Sequence, residues 1–203
     1  KKQSKIIIIS SPSGAGKTTI CKFLIKKMKN IQLSVSYTTR NKRIIEKDKK
    51  DYFFVKNKEF FELKKNNFFI ETANIFDNYY GSPYPNNNKI KKNNHILFDI
   101  DWQGARKLRK KYNKDQVLDF FILPPSKKEL KIRLEKRGRD TSKEIKKRLS
   151  HAMSEMSHYS EYKYILINDN ISETVSNLIN IINYNLLISD LKNKINKKLK
   201  FIK

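Results

Sequence analysis

Four runs of apolar residues divide the chain and predict strands, of which the first two are expected to be buried. They are rich in Ile, Val, Leu and Phe, and they lack the strict alternation with polar residues that a half-exposed strand shows. Gly14 follows the first run and Pro124 follows the third, and both residue types end regular structure. The runs lie at residues 5–10, 95–101, 117–123 and 162–168.

Between these runs, apolar residues recur every three or four positions, which is typical of amphipathic helices. In the segment that begins at Lys17, this spacing joins Ile20, Phe23, Leu24 and Met28. The same pattern predicts helices at residues 58–66, 103–112, 126–137 and 142–159, and from residue 171 onward. Strands that alternate with helices predict a mainly parallel sheet in an α/β fold.

The stretch between the first helix and the second apolar run predicts shorter elements. Strands are expected at residues 33–36, 52–55 and 68–76. Residues 78–85, with the sequence NYYGSPYP, predict a turn-rich loop because they contain one glycine and two prolines.

The net charge of +25 suggests nucleic acid as a partner, but the kind of cation argues against that interpretation. Of the 45 basic residues only eight are arginine, and the lysines are spread along the whole chain. We therefore expect a solvated lysine surface and no specific nucleic-acid partner. The few arginines gain weight as candidates for phosphate binding, because a guanidinium group can bind a phosphate through two parallel hydrogen bonds.

The cysteine count and the length of the apolar runs exclude several classes of protein. Cys21 is the single cysteine, which excludes a disulfide framework and a cysteine-rich zinc site. No apolar run approaches the roughly 20 residues that a membrane-spanning helix needs. We expect a cytoplasmic protein without a membrane partner.

A phosphate-binding loop is predicted between the first strand and the first helix. Residues 11–19, SPSGAGKTT, follow the pattern G-x-x-x-x-G-K-[ST] except that Ser11 replaces the first glycine. The glycines allow the backbone N–H groups to turn inward, and the start of the helix favours an anion. Such loops occur in ATPases, GTPases and small-molecule kinases alike.

A second phosphate site is predicted in residues 34–43, SVSYTTRNKR. Arg40 and Arg43 lie three residues apart beside several hydroxyl side chains. Further motifs follow in order, and they are DYFFV, FIE, NYYGS, DIDWQG, FILPPS, RLEKRG, MSEMSHYSEY and ILIND.

Taken together, these motifs resemble those of the guanylate kinases, in particular the bacterial type, over nearly the whole chain. The chain departs from the family pattern at Lys42 and Ile45, where a proline and a glycine are usual. The resemblance implies a P-loop NTPase-type parallel sheet flanked by helices. It also implies an inserted β-rich GMP-binding subdomain and a helical lid. The implied division is core at 1–34, 84–125 and 151–203, GMP-binding subdomain at 35–83, and lid at 126–150.

The resemblance further implies an enzyme that transfers the γ-phosphoryl group of ATP to GMP, giving ADP and GDP with the help of Mg²⁺. Lys17 and the loop amides would hold the ATP phosphates, and Asn168 would lie by the adenine. Thr18 would bind Mg²⁺, with Asp99 nearby and acting directly or through water. The implied ATP-binding residues are Ser13, Gly14, Ala15, Gly16, Lys17, Thr18, Thr19, Arg137 and Asn168.

On the acceptor side, the arginine and tyrosine side chains would hold the GMP phosphate, and the carboxylates and serines would surround the guanine or its sugar. The implied GMP-binding residues are Ser36, Arg40, Arg43, Tyr52, Glu71, Tyr80, Gly81, Ser82 and Asp101. The implied catalytic residues are Lys17, Arg40, Arg133, Arg137 and Arg148. We expect ATP and GMP as partners, with dGMP as a further candidate acceptor, in a monomer or a homodimer.

Two other functions are compatible with parts of this pattern. Guanylate-kinase-like domains of scaffold proteins bind phosphorylated partners without catalysis, but they typically carry a degraded phosphate loop, whereas Lys17 and Thr18 are present here. A nucleic-acid-binding ATPase would account for the charge of +25. It has no further support, because the aromatic residues lie in strand and GMP-site motifs.

Overall fold

The computed structural model describes residues 4–75, 77–85, 94–136 and 142–199, and in these ranges strands and helices alternate along the chain. The strands are β1 (Ile6–Ser10), β2 (Ile31–Leu33), β3 (Tyr37–Thr38), β4 (Phe53–Phe54), β5 (Phe69–Ile75), β6 (Asn78–Pro83), β7 (His95–Asp99), β8 (Val117–Leu123) and β9 (Tyr164–Ile167). The α-helices are α1 (Lys17–Lys27), α2 (Asn57–Lys65), α3 (Trp102–Lys111), α4 (Lys127–Glu135), α5 (Ser142–Met156) and α6 (Ile171–Leu199).

The larger sheet contains the four apolar runs of the sequence, with β2 added at one edge. Its strand order is β2-β7-β1-β8-β9, and all of its strand pairs are parallel. The run of four isoleucines in β1 follows from this position, because successive side chains of a strand point to opposite faces. Ile7 and Ile9 pack in one apolar cluster, and Ile6 and Ile8 pack in another.

Helices cover both faces of this sheet. The cluster around Ile7 and Ile9 also holds buried residues of α1 and α6, among them Leu24 and Leu178. The cluster on the other face includes Leu108 of α3. The expected α/β fold, a parallel sheet flanked by helices, is therefore confirmed. Among the described residues, no helix is both long and apolar enough to cross a membrane.

A second, smaller sheet is formed entirely within residues 37–83. Its strand order is β4-β3-β6-β5, with β3 parallel to β4 and antiparallel to β6, and β6 antiparallel to β5. The strand predicted at residues 33–36 was wrong, because β2 ends at Leu33 in the large sheet and β3 begins at Tyr37 in the small one. The loop predicted at residues 78–85 was also wrong, since β6 occupies most of it. Gly81 lies inside that strand against the Phe69 ring of β5.

An aromatic cluster joins α2 to the small sheet. The Phe60 ring is fully buried, and it stacks on Phe69 with ring centroids 4.8 Å apart and on Tyr79 at 5.8 Å. The neighbouring Phe61 is 41% exposed and contacts Tyr79 edge to face. Phe60 therefore supplies the main apolar contact between the helix and the sheet.

Helices α4 and α5 pack on each other through Leu130, Leu134 and Ala152, which are fully buried. The predicted lid boundary at residue 150 lies inside α5, which continues to Met156. The division of the chain into core, GMP-binding subdomain and lid stays a prediction.

We expect Phe60→Ala to lower the free energy of unfolding by about 3–5 kcal/mol, because it removes a fully buried ring and leaves a cavity. Phe61→Ala is the matched control, and its cost should be clearly smaller because that ring is partly in solvent. Urea unfolding of both variants and of the wild type measures the difference. Equal losses in the two variants would contradict the assigned role of Phe60.

Candidate active site

The loop between β1 and α1 has the backbone of an anion-binding loop. Gly14 and Gly16 have φ angles of 97° and 96°, in the left-handed region that side-chain-bearing residues rarely adopt. Gly16 is the N-cap of α1, so the N–H groups of the next residues have no acceptor within the helix. These groups, together with the helix dipole, favour a bound phosphate at this end of α1.

Asn168, which follows β9, packs against the inner side of the loop between β1 and α1. Its side-chain amide donates a hydrogen bond of 2.7 Å to the carbonyl oxygen of Ala15. A Cβ atom on Gly16 would lie 2.6 Å from the same amide nitrogen, so the residue must be glycine on steric as well as conformational grounds. Asn168 is 1% exposed. It therefore supports the phosphate loop from the end of a neighbouring strand.

Lys17 links the loop to the end of β7. Its ammonium lies 2.8 Å from Oδ1 of Asp99 and donates a hydrogen bond of 2.9 Å to the carbonyl oxygen of Ile100. Burial by itself would lower the pKa of Lys17, but the Asp99 carboxylate outweighs that effect, and the pKa is raised. Lys17 therefore stays charged and is held toward the cleft.

Two arginines share one carboxylate at the edge of the small sheet. The Arg40 guanidinium donates two hydrogen bonds to Glu46, at 3.0 and 2.8 Å, and the Arg43 backbone N–H donates another at 2.8 Å. The Arg40 guanidinium also lies 5.5 Å from the centroid of the Tyr52 ring. The segment thus brings both arginines to one anion, although Lys42 and Ile45 replace the usual proline and glycine, and the Ile45 side chain is exposed.

Glu71 is a buried carboxylate at a bulge in β5. The β5–β6 register shifts between Phe69 and Glu71, and such a bulge changes the direction of a side chain. The Ser82 backbone N–H donates a hydrogen bond of 3.0 Å to Glu71 Oε1. A Cβ atom on Gly104 would lie only 2.7 Å from Glu71 Oε2, so the glycine in DIDWQG leaves room for this carboxylate.

The environment of Glu71 alters its acidity. Burial raises the pKa of Glu71 to about 7; the Asp101 carboxylate adds to the rise, whereas Ser82 and the Lys107 ammonium oppose it. Asp101 is itself the N-cap of α3 and accepts a hydrogen bond of 2.9 Å from the Gly104 N–H. The hydroxyls of Ser36 and Ser82 lie 3.0 Å apart next to the Glu71 carboxylate. The group offers hydrogen-bond acceptors and hydroxyl donors side by side.

One cleft of about 430 Å³ joins these groups. It brings together most of the predicted site residues, which are Ser13, Gly14, Gly16, Lys17, Thr18, Thr19, Ser36, Arg40, Arg43, Tyr52, Glu71, Tyr80, Asp99, Asp101 and Arg148.

Five other predicted site residues lie elsewhere. Four of them, Ala15, Gly81, Ser82 and Asn168, are not on the cleft surface. Ser82 contacts Ser36 and Glu71, which line the cleft, and Asn168 contacts the phosphate loop at Ala15. Arg133 donates hydrogen bonds to Glu129 Oε1 at 2.9 Å and to the Asn168 carbonyl at 3.1 Å. It is not part of the cleft surface. The predicted site residue Arg137 lies outside the described residues.

Comparisons with known proteins agree with this geometry. A family model described as guanylate kinase matches residues 3–185. This chain belongs to the guanylate kinase family. The guanylate kinase of Rickettsia prowazekii (strain Madrid E) is 44% identical to it over 183 residues, which are 90% of this chain and 92% of that protein. The guanylate kinase of Rhodopseudomonas palustris (strain BisB18) is 42% identical over 183 residues, or 90% and 83% of the two chains.

The structural comparison points to the same family. A crystal structure of guanylate kinase from Anaplasma phagocytophilum superposes with a TM-score of 0.74 and 36% sequence identity. The match covers 92% of this chain and 88% of that one. The fold is thus that of a P-loop NTPase, and the chain is a nucleoside monophosphate kinase that transfers a phosphoryl group from ATP to GMP. The resemblance drawn from the motifs is confirmed.

Sequence reasoning missed several residues of this guanylate kinase cleft. Glu144, Lys147 and Glu155 of α5 line it together with Arg148. Glu144 lies four residues before Arg148 and Glu155 lies seven after it, and these spacings place the three side chains on one helical face; Lys147 directly precedes Arg148. That spacing is visible in the sequence. The motif MSEMSHYSEY nevertheless assigned no role to Glu155, because that role depends on where the phosphate loop lies in the fold.

The raised pKa of Glu71 predicts a pH-dependent stability for this guanylate kinase without ligand. Between pH 4.5 and about 7 the folded state binds more protons at Glu71 than the unfolded chain, so this group's contribution to the free energy of unfolding falls as pH rises. Above about pH 7 that contribution is constant. Glu71→Gln removes the charge. As pH rises, the free energy of unfolding of the variant should therefore increase relative to that of the wild type, by up to about 3 kcal/mol.

Urea unfolding of wild type and Glu71→Gln at pH 5 and pH 8 tests this expectation. Glu62→Gln, on the exposed side of α2, is the control and should show no such pH-dependent difference. If Glu71→Gln changes stability equally at both pH values, Glu71 is not protonated more readily in the folded state.

Proposed function

We propose that this cleft transfers the γ-phosphoryl group of ATP to GMP, with the donor bound at the phosphate loop and the acceptor at the small sheet. The observation that carries the proposal is that two phosphate-binding groups open into one cleft. These are the loop with Lys17 and the pair formed by Arg40 and Arg43. A phosphoryl transferase needs this arrangement, because the two substrates must approach in line.

On the donor side, the N–H groups at the start of α1 and the Lys17 ammonium would bind the ATP phosphates. Loop residues 13–19 form this site, in which the Ser13 N–H is bonded to Glu155, and Asn168 supports the loop through the Ala15 carbonyl. The adenine would lie by Asn168. The pairing of Lys17 with Asp99 holds the ammonium toward the cleft before the nucleotide arrives. A preorganised cation of this kind costs little rearrangement at the moment of reaction.

On the acceptor side, Arg40, Arg43, Tyr52 and Tyr80 would hold the phosphate of GMP. Glu46 supports this assignment, because it already engages Arg40 through two parallel hydrogen bonds, the geometry that a phosphate would use. Around the base, a carboxylate suits the adjacent N–H donors of guanine. This part of the site is formed by Ser36, Glu71, Ser82 and Asp101. Gly81 lets the β6 backbone lie close to the Phe69 ring of β5.

The reaction needs no covalent intermediate on the enzyme. A phosphate oxygen of GMP attacks the γ-phosphorus, the bond to the β–γ bridging oxygen breaks, and ADP leaves with the electron pair. Arg148 would face the transferring group from α5. Arg133 and Arg137 are proposed to join it when the lid closes over both substrates and excludes water. Arg133 would then exchange its present contact with Glu129 for the substrate.

The residues of the cleft fit Mg²⁺. In nucleotide sites Mg²⁺ uses one or two protein oxygens and completes its shell with water and phosphate oxygens. Thr18 and Asp99 both line the cleft beside Lys17. In the described part of the chain, no group of three or more His, Cys, Asp and Glu residues could hold a metal by itself. We propose that Thr18 binds the ion, with Asp99 acting directly or through water, and that the ion neutralises phosphate charge.

Three narrower expectations stay predictions: that dGMP is accepted, that the protein is a monomer or a homodimer, and that it acts in the cytoplasm.

We expect Lys17→Met to lower kcat at least about a hundredfold, because it removes a cation that faces the charge developing on the donor phosphates. GMP binding should change by less than about threefold, since Lys17 serves the donor side in this scheme. A coupled ADP-release assay measures kcat, and equilibrium titration measures GMP affinity. Lys27→Met, in the exposed last turn of α1, is the control. A Lys17→Met enzyme that retains a tenth or more of the turnover would contradict the donor role.

We expect the wild type to prefer GMP over AMP by roughly 10⁴–10⁵ in kcat/KM, because AMP leaves the Glu71 acceptor unpaired in a buried site. Glu71→Gln should lower kcat/KM for GMP sharply and narrow this ratio, while the KM for ATP changes little. The measurement is kcat/KM for both acceptors in wild type, Glu71→Gln and the control Glu62→Gln. An unchanged GMP/AMP ratio in Glu71→Gln would show that Glu71 does not recognise the base.

A further inference from the structure

Glu155 joins helix α5 directly to the phosphate loop. Its Oε2 accepts a hydrogen bond of 2.9 Å from the backbone N–H of Ser13. The residue is only 7% exposed, and Nδ1 of His151, one turn earlier in α5, lies 3.4 Å from the same oxygen. A buried carboxylate is costly to maintain unless it is hydrogen-bonded, so this contact is a defined feature of the site.

Glu155 and Arg148 lie on the same face of α5. They are seven residues apart, which is close to two helical turns and about 10 Å along the helix axis. Both line the cleft, together with Glu144 and Lys147 of the same helix. The position of Glu155 relative to the phosphate loop therefore determines where the Arg148 guanidinium can lie relative to a phosphate bound in that loop.

The apolar contacts between α5 and α4 do not fix this position as sharply. The helix packs on α4 through Leu149, Ala152 and Met156, against Leu130 and Leu134. Apolar contacts of this kind have little directional preference, so they tolerate small rotations and shifts of one helix on another. A hydrogen bond weakens steeply when its angle or length changes. The bond from Ser13 to Glu155 thus constrains the rotation of α5 more sharply than this apolar packing does.

The bond between Ser13 and Glu155 is compatible with a bound donor. The N–H of Ser13 points to α5, and that of Ala15 donates to the Pro12 carbonyl at 3.2 Å. The N–H groups that have no acceptor inside the helix are those of its first residues, Lys17 to Thr19, since the Ile20 N–H already donates to the Gly16 carbonyl. A phosphate held by these groups and by the Lys17 ammonium leaves the Ser13 N–H to Glu155.

We propose that Glu155 is a positioning residue for phosphoryl transfer: its carboxylate ties α5 to the phosphate loop at Ser13 and so sets the place of Arg148 over the donor phosphates. This inference rests on the proposed roles of the phosphate loop and of Arg148. Glu155 itself touches neither substrate in this scheme. What matters is the length of its side chain and its ability to accept one hydrogen bond.

Two substitutions separate side-chain length from charge. Glu155→Gln keeps the length and an acceptor oxygen but loses the charge, and we expect it to retain kcat within about threefold of the wild type. Glu155→Asp keeps the charge but is one methylene shorter, so it must break the bond to Ser13 or pull α5 inward. We expect Glu155→Asp and Glu155→Ala to lower kcat by about tenfold to a hundredfold, as displaced catalytic groups do.

A double-mutant cycle identifies the residue through which Glu155 acts. Arg148→Ala should lower kcat by itself, and adding Glu155→Ala to it should lower kcat by less than about twofold more. The assay measures kcat with both substrates saturating, and thermal unfolding of each variant gives the folded fraction. Ser154→Ala, on the exposed side of the same helix, is the control and should match the wild type.

Each outcome decides between this mechanism and its competitors. If Glu155→Asp is more active than Glu155→Gln, the charge of Glu155 matters rather than its reach, and the proposal is overturned. If Glu155→Ala and Arg148→Ala losses multiply, Glu155 does not act through Arg148. If Glu155→Ala does not fold, the comparison of kcat between Glu155→Gln and Glu155→Asp still tests the proposal. A wild type that converts no GMP would instead refute the proposed function, and this inference with it.

Discussion

The parallel pairing of β1 with β7 is the constraint on which the rest of the active site depends. It places the ends of the two strands side by side, so that the loop after β1 and the residues after β7 meet at one edge of the sheet. The contact of 2.8 Å between Lys17 and Asp99 is the direct result. It orients the donor site and places Asp101, two residues further on, opposite Glu71 of the small sheet.

Buried carboxylates then link the separate elements of the site. Glu71 accepts from the Ser82 backbone, and Glu155 accepts from the Ser13 backbone. In both cases burial opposes ionisation and raises the pKa. One backbone N–H in each case partly offsets the desolvation cost. Such contacts contribute little net stability, but they fix orientation, which is what a reaction governed by alignment requires.

The large sheet could be predicted from sequence because its three inner strands, β1, β7 and β8, are buried on both faces, and such strands are continuous apolar runs. The small sheet could not be predicted to the same degree. Its strands β3 and β4 have two residues each, and β6 contains Gly81, Ser82 and Pro83, which favour turns when considered locally. Tertiary packing decides their structure, because Gly81 lets the β6 backbone lie against the Phe69 ring.

The charge of the cleft explains why composition was a poor guide to function. Among the described residues that line the cleft, the cations are Lys17, Arg40, Arg43, Lys147 and Arg148, and the carboxylates are Glu71, Asp99, Asp101, Glu144 and Glu155. The cleft therefore lacks the large excess of positive charge that the whole chain carries. Motifs could locate most of these residues, since each lies close to a strand end or loop with its own sequence pattern. They could not assign a role to Glu155, because its partner is the backbone of Ser13, 142 residues away along the chain.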